Sequence, residues 1–301
     1  MLTAVQFAVV LLACWLAAAL LTRARWTAQS PSAAIVCWQA VGLAVGLAAI
    51  GLPLAPALEP YGGSTAGGLL LLGRDLAAHG PPAAIGPARL ALAAGGLAVA
   101  ATLLGHTAGC LVRAWRVRRR HRDVLALVAR DDPAAPGALV LDHPGAAAYC
   151  LPGVRPCVVV SAGTLRLLDR RQLAAVLSHE RAHADERHDL VLLPFAALSR
   201  ALPWPRWVRR AGTTVALLVE MRADDKARRQ HADAPLIGAL LRFAAVAGPP
   251  APPGTLGATA DLYARVSRLL EPPQPPPRLR RAAALLAAHA LVAVPMWLLL
   301  T

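Results

Sequence analysis

Acidic side chains are scarce in this chain. Its 301 residues hold 17 Asp and Glu against 31 Lys and Arg, and only five are Glu. Lysine is nearly absent too: Lys226 is the only one, so the formal charge of +14 is carried by arginine. Charged residues make up 16% and aromatics 4%, where an average soluble domain is about 25% charged. These shortages exclude a disordered chain, which needs high charge and low hydrophobicity. The five cysteines (Cys14, Cys37, Cys110, Cys150, Cys157) include no CxxC pair. That excludes a disulfide-dense miniprotein and a zinc-ribbon spacing, and it reads as free thiols. What is abundant is apolar: 56% of the residues, above the usual range of about 45–50%. An excess of that kind argues against an ordinary soluble enzyme and for membrane segments.

Four apolar runs carry the excess: residues 2–21, 33–58, 90–112 and 282–300. None contains Asp, Glu, Lys or Arg, and each has about the 20 residues that cross a hydrocarbon core as a helix. Pro53 and Pro56 interrupt the second run late. The first run lacks a basic leader and is too long for a cleaved signal peptide, so it reads as a retained helix. The arginines then orient the layout. Arg23 and Arg25 join the first two runs, residues 59–89 hold only Arg74 and Arg89, and six arginines crowd residues 113–122 directly after the third run. Arg278, Arg280 and Arg281 precede the fourth. Positive loops stay in the cytoplasm. The expected layout is a multi-pass cell-membrane protein with its N-terminus outside and residues 113–281 in the cytoplasm. The positive charge marks lipid headgroup contact; no nucleic-acid motif accompanies it, so no nucleic-acid partner is expected.

Within the cytoplasmic segment, residues 138–143 and 157–163 read as strands, rich in Val and bounded by Gly, Pro and Asp. Residues 144–156 between them read as a turn-prone link, although Tyr149 to Ser161 can also offer a strand edge to an extended peptide. Asp169 to His188 reads as a helix, with Asp169 as its N-cap. It contains His179-Glu180-Arg181-Ala182-His183, an HExxH motif. Two His four residues apart share a helix face and can reach one zinc ion, while the Glu between them can take a proton from a zinc-bound water. Random placement of the same His and Glu would produce the motif in roughly 0.4% of chains. His188 and Asp189, one turn later, either support the site or, as the favoured reading, are helix-end residues.

An open zinc site needs a third protein ligand. Glu220, 37 residues after His183 at the end of the apolar run TTVALLVE, is either that ligand or a solvated acid at a helix end. Asp224 lies one turn further on. It either accepts a hydrogen bond from the free ring nitrogen of a ligand His or, like Asp225 beside it, faces solvent. Arg222, Arg228, Arg229 and His231 are the candidates for stabilising an oxyanion. Residues 190–203 read as a helix at the membrane surface, with Trp204 and Trp207 at headgroup depth, or as a helical hairpin that re-enters the membrane. Residues 248–281 read as a Pro-rich linker containing a short helix.

HERAH followed by EMRAD, set among transmembrane helices, resembles the integral-membrane gluzincin metallopeptidases. The nearest resemblance is to the BlaR/MecR-type branch; the Ste-type CAAX proteases and the heat-shock membrane proteases are more distant. The likeness extends over residues 138–230. It implies His179, His183 and Glu220 as ligands of one Zn2+ per chain, Glu180 as the catalytic residue, and a protein or peptide substrate. The antibiotic-sensor members carry an extracellular penicillin-binding domain after the last transmembrane helix. This sequence ends at Thr301, so β-lactam sensing is not expected.

The expected architecture is a mainly α membrane protein. Residues 1–112 supply three transmembrane helices, residues 113–247 a cytoplasmic α+β zincin-like metalloprotease domain, residues 248–281 the linker and residues 282–300 a fourth transmembrane helix. The expected function is a membrane-embedded zinc endopeptidase acting on cytoplasmic or membrane-proximal proteins. The alternatives are a non-catalytic membrane receptor or scaffold with a structural zinc, and a transporter. The first does not need Glu180, and the second conflicts with spans free of Asp, Glu, Lys and Arg.

Overall fold

A computed structural model describes residues 2–79, 85–153, 155–246, 256–271, 274 and 276–301. The chain is mainly helical with one small sheet. In order, the elements are α1 (Leu2–Arg23), α2 (Trp26–Gln29), α3 (Pro31–Leu58), α4 (Thr65–His79), α5 (Pro87–Val128), β1 (Ala129–Asp131), β2 (Ala138–Leu141), β3 (Ala148–Leu151), β4 (Cys157–Ser161), α6 (Ala162–Leu167), α7 (Arg170–Asp185), α8 (His188–Ala201), α9 (Arg206–Ala227), α10 (Asp233–Val246), α11 (Leu256–Leu270) and α12 (Arg278–Leu300). The residues fall into two compact units. One comprises the chain up to Gly109 with Pro194–Gly212 and Pro276–Thr301; the other comprises Cys110–Leu193 and Thr213–Pro275.

Among the described residues, four helices are long and apolar enough to cross a membrane: α1, α3, α5 and α12. In the first unit α1 packs on α3 and α12, and α3 also packs on α4. Phe7 is fully buried, and a Cβ on Gly51 of α3 would run into its ring. The glycine is what lets α1 and α3 approach closely. Pro53 and Pro56 do not interrupt α3, which continues to Leu58. Each proline removes one N–H but leaves φ helical, and packed neighbours tolerate that inside a bundle. Helix α5 does not stop where its apolar run stops; it continues through the arginine run to Val128. The segment 59–89, read from sequence only as a connection, contains α4.

In the second unit the sheet has the order β1-β2-β4-β3, with β2 parallel to β4 and the outer pairs antiparallel. Residues 144–156, read as a link, contain β3, an edge strand of four residues between Gly- and Pro-rich turns; it falls at the start of the stretch from Tyr149 that also read as a strand edge. Val140, Val158 and Val160 of the sheet share a core with Leu173, Val176 and Leu177 of α7 and Ala239 of α10. A second cluster ties Ala175 of α7 to Ala227 of α9, Leu236 of α10 and Leu269 of α11. Helix α7 is therefore packed on two faces. Its start is fixed as well: Asp169 accepts from the Arg171 and Gln172 backbone N–H groups at 2.8 and 2.9 Å, and the Gln172 side chain accepts from Asp169 N–H at 3.2 Å. This is a reciprocal capping box. Helix α7 ends at Asp185, earlier than the reading of one helix to His188. Arg187 takes a left-handed conformation (φ 51°), and α8 begins afresh at His188. Part of the arginine run is used within this unit: Arg118 pairs with Asp189 at 2.8 Å, and Arg122 donates to the Pro152 and Arg155 carbonyls at 3.1 Å. The GPPAPPG part of the proline linker lies outside the described residues. The short helix after it is α11.

Candidate metal centre

One turn of α7 separates His179 from His183, so both imidazoles leave the same face. Their Nε2 atoms stand 3.1 Å apart. Glu220 of α9 meets both, with Oε2 3.4 Å from His179 Nε2 and Oε1 3.6 Å from His183 Nε2. One donor atom from each residue lies within 4.8 Å of the others, a group able to hold a metal ion. Tetrahedral zinc with ligand bonds of about 2.0–2.1 Å sets neighbouring donor atoms about 3.3 Å apart. The donor set is two imidazole nitrogens and a carboxylate, and its spacing matches that requirement.

The groups beside the far ring nitrogens match it too. A His that gives Nε2 to a metal carries its proton on Nδ1 and needs an acceptor there. His179 Nδ1 lies 2.9 Å from Asp224 Oδ1, and His183 Nδ1 lies 2.9 Å from His188 Nδ1. His188 then turns Nε2 toward Glu186 at 3.3 Å, and Glu186 accepts from Arg222 at 2.8 and 2.9 Å. On the other side Asp224, 1% exposed, accepts two 2.8 Å bonds from Arg265 of α11. Arg265 also reaches Glu220 Oε2 at 2.9 Å. Each histidine is thus backed by a carboxylate and an arginine, directly for His179 and through His188 for His183.

The electrostatics follow from this crowding. Burial works to raise the Glu220 and Asp224 carboxyls, but His179 and Arg265 outweigh it and hold both at about 2. Burial works to lower His179, yet the Asp224 and Glu220 carboxylates win and raise it to about 9. His183 goes the other way, to about 4, because burial and the neighbouring His179 both disfavour its charge. The centre therefore favours a positive charge beside His179, the kind of charge a bound metal would supply. Glu180 is pushed up to about 7, chiefly by burial. The Cys150 backbone of β3 and the neighbouring His179 work in the other direction. Glu180, His183 and Glu220 open onto one cavity of about 350 Å³ together with Tyr149, Cys150 and His188.

All five residues singled out in the sequence, His179, Glu180, His183, Glu220 and Asp224, belong to this one centre. Two others enter it as well. His188 stands at a helix end, the start of α8, and the break at Arg187 also buries it against His183. Arg265 was not considered at all; its signal was an arginine on an amphipathic helix in a chain with few acids to pair. The oxyanion candidates do not line the cavity: Arg222 is committed to Glu186 and Arg228 to Asp233.

Residues 113–226 match the family model of Peptidase family M48. The matched stretch contains HExxH, Glu220 and Asp224 but ends before Arg265. No curated protein and no solved structure matches the chain. The family match supports metallopeptidase activity, hence a hydrolase with a protein or peptide substrate.

Proposed function

We propose that this protein is a membrane-embedded zinc endopeptidase of the gluzincin kind, related to the BlaR/MecR-type peptidases, with its active site on the cytoplasmic side. The observation that carries the reading is the convergence of His179, His183 and Glu220 donor atoms beside a half-buried Glu180 on an open cavity. His179, His183 and Glu220 would hold Zn2+. When bound, zinc lowers the pKa of a water molecule and polarises the scissile carbonyl. Glu180, with its pKa near neutrality, takes the proton from the attacking water and returns it to the leaving amine. Asp224 and His188 orient the two ligand imidazoles, and Arg265 holds Asp224 and Glu220 in register as a positioning residue. An extended substrate adds to the sheet along β3, whose Ala148, Tyr149 and Cys150 line the cavity.

A receptor or scaffold with a structural zinc is the weaker reading. Structural sites are closed by four protein ligands, whereas three donors beside an open cavity leave room for water. The membrane layout rests on four helices that each contain a charge-poor apolar stretch and on arginines gathered at the ends assigned to the cytoplasm.

The test is to purify wild type and Glu180→Ala in detergent, measure bound zinc, and assay cleavage of an unfolded protein. Equal zinc with hydrolysis lost only in the variant is expected. Wild-type protein without zinc overturns the reading. Reporter fusions at Gly62 and Arg120 test the orientation, and an external Arg120 contradicts it.

A further inference from the structure

A second constellation lies in the unit that contains the apolar helices, apart from the metal centre. Arg23 and Thr22 at the end of α1, Trp15 two turns earlier, Trp38 of α3, and Trp207 and Arg210 of α9 line a cavity of about 210 Å³. Two arginines and three tryptophans face it, and among the described residues no acidic side chain lines it. Trp38 is 1% exposed, and its indole Nε1 is buried with no hydrogen-bond partner among the described residues. An indole N–H can only donate, and a buried donor without an acceptor is rare enough to require an explanation. The cavity also has a direction. It begins at the charged end of α1 and climbs along Ala19, Ala18 and Trp15 into the apolar run, where Trp15 is 56% exposed.

We propose that this cavity binds the headgroup of an anionic phospholipid. Arg23 and Arg210 attract the phosphate, whose oxygens accept from guanidinium groups with strong, short hydrogen bonds. The phosphate also provides the acceptor that Trp38 Nε1–H lacks. Tryptophans belong at headgroup depth, and basic pockets between helices on the cytoplasmic side select acidic lipids. Free phosphate has the same headgroup chemistry, but the climb from arginines to an apolar face fits a ligand with a charged head and a hydrocarbon tail. The inference rests on the membrane reading above and is independent of the peptidase reading.

Native mass spectrometry of the full chain in detergent tests it, with palmitoyl-oleoyl phosphatidylglycerol and the phosphatidylcholine of the same chains as probes. Wild type is expected to hold the glycerol lipid about ten-fold or more tightly than the choline lipid. The Arg23→Gln/Arg210→Gln double variant loses that preference. Trp38→Phe, which keeps the packing and removes the N–H, weakens both lipids, since both carry the phosphate. Zinc content stays at the wild-type level in every variant, which separates this site from the peptidase reading. Equal affinity for the two lipids, a preference that survives the double variant, or displacement of the glycerol lipid by inorganic phosphate overturns the proposal. Release of the chain from membranes by alkaline carbonate overturns it together with the membrane reading.

Discussion

Arg265 grips Asp224 from 41 residues away, Nε to Oδ2 and Nη2 to Oδ1, both at 2.8 Å. Asp224 is 1% exposed and lies against His179, so the guanidinium neutralises a carboxylate that water does not reach. Removing one partner of such a pair leaves a buried charge uncompensated. Arg265→Met should therefore cost about 3–5 kcal/mol of stability. Arg265→Lys should cost less, because it restores charge without the two-point fork. Unfolding midpoints in detergent check this, with zinc content as the second readout. An Arg265→Met protein as stable as wild type would show that Asp224 is not held by this pair.

His188 and His183 should behave as a coupled pair. With His183 Nε2 turned to the metal position, its Nδ1–H needs the His188 Nδ1 acceptor 2.9 Å away. His188→Ala should weaken zinc binding about 10–100-fold, the usual effect of removing the group that orients a ligand imidazole. Glu186→Gln should have a smaller effect in the same direction, since Glu186 acts only through His188. Competition with a chromogenic chelator measures both. Wild-type affinity in His188→Ala would return His188 to the helix-end role first read from the sequence.

Much of the centre was legible because helical spacing is local. HExxH puts two ligands and a carboxylate within one turn, and the Asp169 cap marks where that helix starts. Glu220 and Asp224 repeat the logic on a second helix, one turn apart. Arg265 was not legible, and His188 was legible only as the lesser of two readings, for two different reasons. Arg265 reaches the centre only because α11 packs on α7, α9 and α10 through Leu269, Ala175, Ala227 and Leu236, a tertiary event with no local pattern. His188 depends on a helix break at Arg187, where neither Gly nor Pro announces a turn. The edge strand β3 was legible only as an alternative to a link: its four residues sit among glycines and prolines, and pairing with β4 overrides that local composition.

Acid should loosen the centre in metal-free protein. Asp224 and Glu220 are held at about 2, below their ordinary 3.8 and 4.5, by His179 and Arg265 acting against burial. A carboxylate with a depressed folded-state pKa binds fewer protons folded than unfolded. Its contribution is complete above about pH 4.5 and is lost as the pH falls toward 2. For Asp224 the amount at stake is about 2 kcal/mol. Denaturant midpoints of chelator-treated protein at pH 6, 4 and 3 should fall steadily, and more steeply than in Asp224→Asn. Parallel curves for the two proteins would remove Asp224 from the acid response.

The break between α7 and α8 offers a test that leaves every side chain of the centre intact. Arg187 is exposed and adopts φ 51°, a left-handed conformation that costs a residue with a Cβ about 1 kcal/mol and costs glycine almost nothing. Glycine also raises the entropy of the unfolded chain, which subtracts part of that gain. Arg187→Gly should therefore keep or slightly raise the unfolding midpoint and leave zinc affinity unchanged. Arg187→Val, β-branched and poorly suited to positive φ, should lower the midpoint by about 1–2 kcal/mol. It should also weaken zinc binding, because a shifted break moves His188 away from His183. If Val at this position reduces stability but spares zinc affinity, the turn supports the fold without setting the His188–His183 contact.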